Sequence, residues 1–154
     1  MRDDILKFMI ERAVPFLNRF RKKPYWSLSQ NEMRQLPIGS LGRDVAKFLD
    51  DQNLNLLPKY EVHDTLHVLL SYGTSPKEEL KLQGFMIGNR SVTFGGKVLF
   101  ALSLIIKPEY LSAIREEMKR GKKAKSIKEI NFSEALGLQT VQLRDDYGIT
   151  VTNN

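Results

Sequence analysis

The stretch Lys59-Tyr60-Glu61-Val62-His63-Asp64-Thr65-Leu66-His67-Val68-Leu69-Leu70-Ser71 decides how this chain folds. Its apolar residues Val62, Leu66, Leu69 and Leu70 recur at helical spacing and share one face, which predicts a helix from about Lys59 to Ser71. On a helix, His63 and His67 stand i,i+4 on one side, and Asp64 stands i,i+3 to His67. At roughly 100° per residue the three side chains span an arc of about 100°. Both histidines of the chain lie here.

Gly73-Thr74 makes a turn after this helix. Ser75-Pro76-Lys77-Glu78 then reads as a helix start, with serine at the N-cap, proline at the first position and glutamate at the third. Glu79 falls in the first turn of the new helix. A loop this short predicts antiparallel neighbours, with Glu79 approaching the half of the first helix that carries His67.

Helical signals continue on both sides. Asp4 to Phe20 is amphipathic, with Pro15 as a kink. Ser29 with Glu32 reads as a capping box. Leu36-Pro37-Ile38-Gly39 breaks the chain, and Ser40 can cap a helix to about Asp50 with Leu41, Val45, Phe48 and Leu49 inward. Gly84 and Gly88 fall in or near the end of the helix begun at Ser75, and Asn89 to Gly96 is a polar connection. Lys97 to Ile106 is strongly apolar. Glu109 to Arg120 reads as a helix with Gly121 as its C-cap, and Phe132 to Leu136 and Thr140 to Tyr147 as two short ones, Gly148 ending the second. Strand alternation is weak throughout. The fold class expected is all-α: a single compact helical domain, residues 1–154, with an antiparallel helix pair carrying the histidine motif.

Composition supports one domain of 154 residues, 42% hydrophobic and 27% charged. The absence of cysteine excludes disulfides and thiolate chemistry, so a metal would need nitrogen and oxygen donors. The net charge of +6 suits solubility, anionic membranes or phosphorylated ligands. It is the sole motive for a nucleic-acid reading, which no recognition motif supports, so nucleic acid is not an expected partner. The longest apolar run, Val98 to Ile106, is about half the roughly 18 residues of a membrane span. The N-terminus lacks the features of a signal peptide. These readings predict a cytoplasmic protein that at most touches a membrane surface.

Two imidazoles with one or two carboxylates suit a divalent-metal site. His63, His67 and either Glu79 or Asp64 could fill three positions of a catalytic zinc. The remaining carboxylate could orient an imidazole or accept a proton. The sequence leaves open which carboxylate does which. The zincin motif is not matched, because Asp64 stands where that motif has glutamate. The His-Asp phosphohydrolases need an upstream histidine that this chain lacks.

The pattern H-D-x-x-H-x(11)-E, met by His63, Asp64, His67 and Glu79, resembles the signature of the coenzyme Q biosynthesis protein four (Coq-four) family. Leu36-Pro37-Ile38-Gly39-Ser40-Leu41-Gly42-Arg43 looks like its LPxGTLG stretch. Gly121-Lys122-Lys123-Ala124 resembles its GrxA segment. Ile130-Asn131-Phe132, Leu143-Arg144 and Gly148-Ile149 resemble its closing region. The likeness is strongest over residues 36–149. Departures (Glu78 before the motif glutamate, Ser71 where a glycine is common, Asn131-Phe132-Ser133 for Asp-Trp-Glu) mark a divergent bacterial-type member.

The resemblance implies an all-helical fold, and a divalent metal, zinc first, held by His63, Asp64, His67 and Glu79. It also implies a part in ubiquinone biosynthesis at the cytoplasmic face of the inner membrane. The implied activity is removal of the ring carbon one carboxyl of a prenylated hydroxybenzoate, sometimes with hydroxylation there, with Asp64 and Glu79 as catalytic groups. The implied partners are a prenylated aromatic lipid and other quinone-biosynthesis proteins. The alternative is a non-catalytic prenyl-lipid-binding scaffold of a biosynthetic complex.

A prenyl tail needs an apolar groove, which Phe85, Met86, Ile87, Leu99, Phe100, Leu102, Leu104 and Ile105 could line; ordinary core is the simpler reading. Arg19 to Lys23 and Lys119 to Lys125 could meet anionic headgroups, with Tyr25 and Trp26 as interfacial anchors. The N-terminal helix could lie on a membrane or form a homodimer contact.

Overall fold

The structure is a computed structural model; it describes residues 26–58, 60–92, 97, 100–101 and 108–151. The expected helix over Asp4–Phe20, the first basic segment and Tyr25, and most of the apolar run from Lys97 to Ile106 lie outside the described residues. Among the described residues the elements are helical, with an isolated bridge between Ser40 and Gln139 as the sole extended pairing. The all-α expectation holds. Two compact units divide the chain, one centred on Tyr72–Ile127 and the other on residues before and after it.

The flanking unit holds α1 (Gln30–Arg34), α2 (Leu41–Asp51), α3 (Glu61–Leu70), α6 (Phe132–Ala135) and α7 (Thr140–Tyr147). The capping box forms as expected: the Glu32 N–H donates to Ser29 Oγ, and the Ser29 N–H donates to the Glu32 carboxylate at 2.8 Å. The start of α2 is satisfied differently. Ser40 occupies the N-cap position but makes no side-chain cap bond. The amides of Leu41 and Gly42 donate instead to the carbonyls of Leu138 and Leu136, both at 2.8 Å. A segment about a hundred residues away thus supplies what a local cap would have given. Thr140 Oγ1 donates to Asp44 at 2.6 Å and reinforces the same junction. Met33, Leu41, Val45, Leu49, Leu66, Leu69 and Leu143 are buried in this unit. Trp26 is buried too, 8% exposed, which removes it as an interfacial anchor.

The central unit holds α4 (Pro76–Gly88), a 3-10 turn at Pro108–Tyr110 and α5 (Leu111–Lys123). Gly84 and Gly88 are packing residues of α4, and Gly121 lies inside α5 and does not cap it. A Cβ on Gly88 would stand 2.0 Å from the Met118 carbonyl oxygen, and one on Gly121 2.2 Å from that of Phe85. The two backbones approach more closely than any side chain allows, so the glycines are required by contact. Asn89 then fastens the junction. Its side-chain amide donates to the carbonyls of Gly121 and Lys125 at 3.0 Å, while its oxygen accepts from the Ile127 amide at 3.0 Å.

Beside this crossing lies a buried polar network that the sequence did not announce. Tyr72 Oη donates to Glu117 at 2.6 Å, Arg120 Nε donates to the same carboxylate oxygen at 2.6 Å, and an Arg120 terminal nitrogen reaches Tyr72 Oη. The guanidinium lies over the rings of Phe85 and Tyr72. Burial, helped by the hydrogen bond to Glu117, pushes the Tyr72 hydroxyl well above the ordinary phenol range.

Candidate metal centre

Helix α3 places the two imidazoles. His63 and His67, i,i+4 apart, have ring centroids 4.6 Å apart with planes inclined at 67°. Imidazole lone pairs lie in the ring plane, so inclined rings direct their nitrogens along different lines, as tetrahedral coordination requires. His67 is buried, 2% exposed, while the His63 side chain is 30% exposed. One imidazole is therefore anchored in the interior and the other is partly exposed.

Phe48, on the neighbouring α2, stacks on His67 with centroids 5.6 Å apart and planes 17° from parallel. Tyr60 meets the His63 ring edge-on at 6.4 Å. Asp64 Oδ1 lies 3.6 Å from His63 Nδ1, within ion-pair range and beyond a direct hydrogen bond.

Glu79 belongs to the first turn of α4, where it is half-buried. The predicted start is confirmed: Pro76 opens the helix and Ser75 Oγ accepts from the Glu78 amide at 3.3 Å. Glu78 itself pairs with Lys81 at 2.9 Å. His63 and His67 stand together on α3 in the flanking unit, while Glu79 belongs to the central unit. Two imidazoles on one helix face are donors that zinc accepts, and the motif adds a carboxylate, so the chemistry of these residues fits the ion.

A sequence profile described as "Coenzyme Q (ubiquinone) biosynthesis protein Coq4" matches residues 42–153. The chain belongs to the Coq4 family. A similar relative is "Ubiquinone biosynthesis protein COQ4 homolog 2, mitochondrial" of Paramecium tetraurelia, 29% identical over 118 residues, covering 73% of this chain. The chain spans 56% of that relative's length. A crystal structure from Nostoc punctiforme PCC 73102, of a protein assigned to ubiquinone biosynthesis, shares the fold with a TM-score of 0.69 at 16% identity. That match covers 97% of this chain and 82% of the other.

Within the Coq4 frame, the Leu143-Arg144 pair gains a concrete task. Arg144, on α7, donates through one terminal nitrogen to the Val68 carbonyl at 2.8 Å and through Nε to the Leu69 carbonyl at 3.0 Å. Both carbonyls lie in the last turn, where intrahelical donors run out; that of Val68 also accepts from the Ser71 amide at 3.2 Å. Their positions directly follow His67. Neither this clamp nor the Phe48 stack was found from sequence; Phe48 had shown only an inward-facing position on α2.

The proposed prenyl groove resolves differently where it is described. Phe85 is fully buried, and Phe100 packs with Leu80 and Ile114 in the core of the central unit, with Ile87 against them. Leu99, Leu102, Leu104 and Ile105 lie outside the described residues. The later basic segment does reach the surface. Arg115, Lys119 and Lys122 border an open hollow of about 460 Å³ on α5, with Ser112, Glu116 and Met118. No described helix is long and apolar enough to cross a membrane.

Proposed function

We propose that this Coq4-family chain holds a divalent cation, zinc first, through His63, His67 and Glu79. We propose further that it removes the ring carbon one carboxyl of a prenylated hydroxybenzoate at a membrane surface. The observation that carries this reading is the inclined His63–His67 pair on α3, within the motif that the family supplies. When bound, the cation supplies positive charge for a carboxylate or phenolate oxygen and for charge developing on the ring.

The chain's own residues divide the remaining work. His67, packed under Phe48, fixes one ligand direction, and His63 completes the pair from the more exposed side. Asp64, with a carboxylate oxygen 3.6 Å from His63 Nδ1, is the group placed to hold or hand over a proton beside that imidazole. Loss of the carboxyl breaks one carbon–carbon bond and releases carbon dioxide. The electron pair left on the ring then takes up one proton, the role assigned to Asp64 or Glu79. The cationic rim of α5 suits a membrane carrying anionic headgroups.

The test is a turnover assay with a polyprenyl-hydroxybenzoate, following carbon dioxide and decarboxylated lipid by mass spectrometry. Turnover that is lost in Asp64→Asn supports the reading. Co-purifying prenyl lipid without any turnover would replace the enzyme with the scaffold alternative.

A further inference from the structure

We propose that Phe48 and Arg144 are positioning residues for His67, setting its ring plane and its helical turn before any ion arrives. The inference rests on the metal reading above and deepens it. A histidine ligand has two soft degrees of freedom that matter: rotation of the ring about its own bond, and displacement of the backbone that carries it. The structure restrains each with a separate group.

Phe48 governs the first. Its ring lies nearly parallel to that of His67, at 17° and 5.6 Å, while His63 closes the same region at 67° and 4.6 Å. Turning the His67 ring would lose the stacked contact and drive an edge into one neighbour. His67 is buried, so that contact is not exchanged for water.

Arg144 governs the second. Helix α3 ends at Leu70, and Ser71 adopts a left-handed conformation with φ 62°. A serine there is less comfortable than a glycine, and its amide reaches the His67 and Val68 carbonyls but leaves that of Leu69 to another donor. Two prongs of one guanidinium bind the carbonyls of Val68 and Leu69 and close that turn from α7. The planar fork fits two successive carbonyls in a way that the single ammonium of lysine does not reproduce. His67 is the residue immediately before the clamped pair, and its own carbonyl accepts from the Ser71 amide.

The test titrates the full chain with Co²⁺ as a spectroscopic probe, well below the melting temperature. It compares wild type, Phe48→Leu, Phe48→Tyr, Arg144→Gln and Arg144→Lys, with His67→Ala as the site control. Met33→Val, in the buried face of α1, controls for lost stability alone. Phe48→Leu and both Arg144 variants are expected to weaken Co²⁺ binding about 10- to 100-fold and to change the visible absorption of the bound ion. Phe48→Tyr, which keeps the stack, is expected to restore both, and Met33→Val to change neither. Wild-type affinity and spectrum in Phe48→Leu and Arg144→Gln, with binding still abolished in His67→Ala, would overturn the positioning roles and leave the metal site standing. No Co²⁺ binding by wild type would overturn the site itself, and the inference with it.

Discussion

Helices α3 and α4 are consecutive in the chain, yet they are secured by opposite means. The start of α4 is written locally: Ser75 caps it through its side chain, Pro76 presets its first turn, and Glu78 supplies negative charge where the helix dipole favours it. Helix α3 has acidic Glu61 and Asp64 in its first turn but no side-chain cap and no opening proline. Tyr60 stands at its N-cap without a side-chain bond, Ser71 ends it in a left-handed conformation, and its last carbonyls are held by Arg144 from α7. The helix bearing both imidazoles therefore depends on tertiary contacts, whereas α4 carries its own punctuation. That dependence makes the position of the histidines a property of the assembled unit.

Three substitutions probe this contrast, in descending order of effect. Arg144→Leu removes two charge-assisted hydrogen bonds and is expected to cost about 2–3 kcal/mol by denaturant unfolding. Its imprint in amide exchange should fall on the last turn of α3 and spare the first turn of α4; equal loss in both would erase the distinction. Ser75→Ala removes the cap of α4 and is expected to cost about 1 kcal/mol, with faster exchange of the first α4 amides and no change in α3. Ser71→Gly relieves the left-handed serine and is expected to stabilise by about 0.5–1 kcal/mol. A loss of stability there would show that the serine side chain contributes a contact worth more than its backbone strain.

The same contrast explains what was legible in the sequence. Signals complete within a few residues were read correctly: the Ser29–Glu32 capping box, Ser75-Pro76 opening α4, and α7 over Thr140–Tyr147 with Gly148 left-handed behind it. The i,i+4 histidines were legible for the same reason, since helical periodicity alone puts them on one face. Devices with a distant partner were not. Gly88 and Gly121 gave no sign that a backbone lies where their Cβ would be, and Gly121 was read as a C-cap although α5 continues to Lys123. Ser40 reads as a cap, but the 136–138 carbonyls take the α2 amides. Its buried hydroxyl has no hydrogen-bond partner among the described residues. Arg144 and Phe48 lie far from the histidines in sequence, so no spacing could connect them to His67. Trp26 was misread because one aromatic residue beside a basic stretch suits a buried face as well as an interfacial one.

The buried Tyr72–Glu117–Arg120 network belongs to this second class. Each residue is polar and could be taken for surface, yet each is at most 8% exposed. Mutual hydrogen bonding makes that burial tolerable, and removal of one member would leave another buried and unsatisfied.

The most direct test of the central claim is elemental analysis of the natively purified chain beside its His67→Ala variant, both confirmed folded by circular dichroism. The account predicts close to one divalent ion per wild-type chain and near-complete loss in the variant. Equal metal content in the two proteins would contradict it.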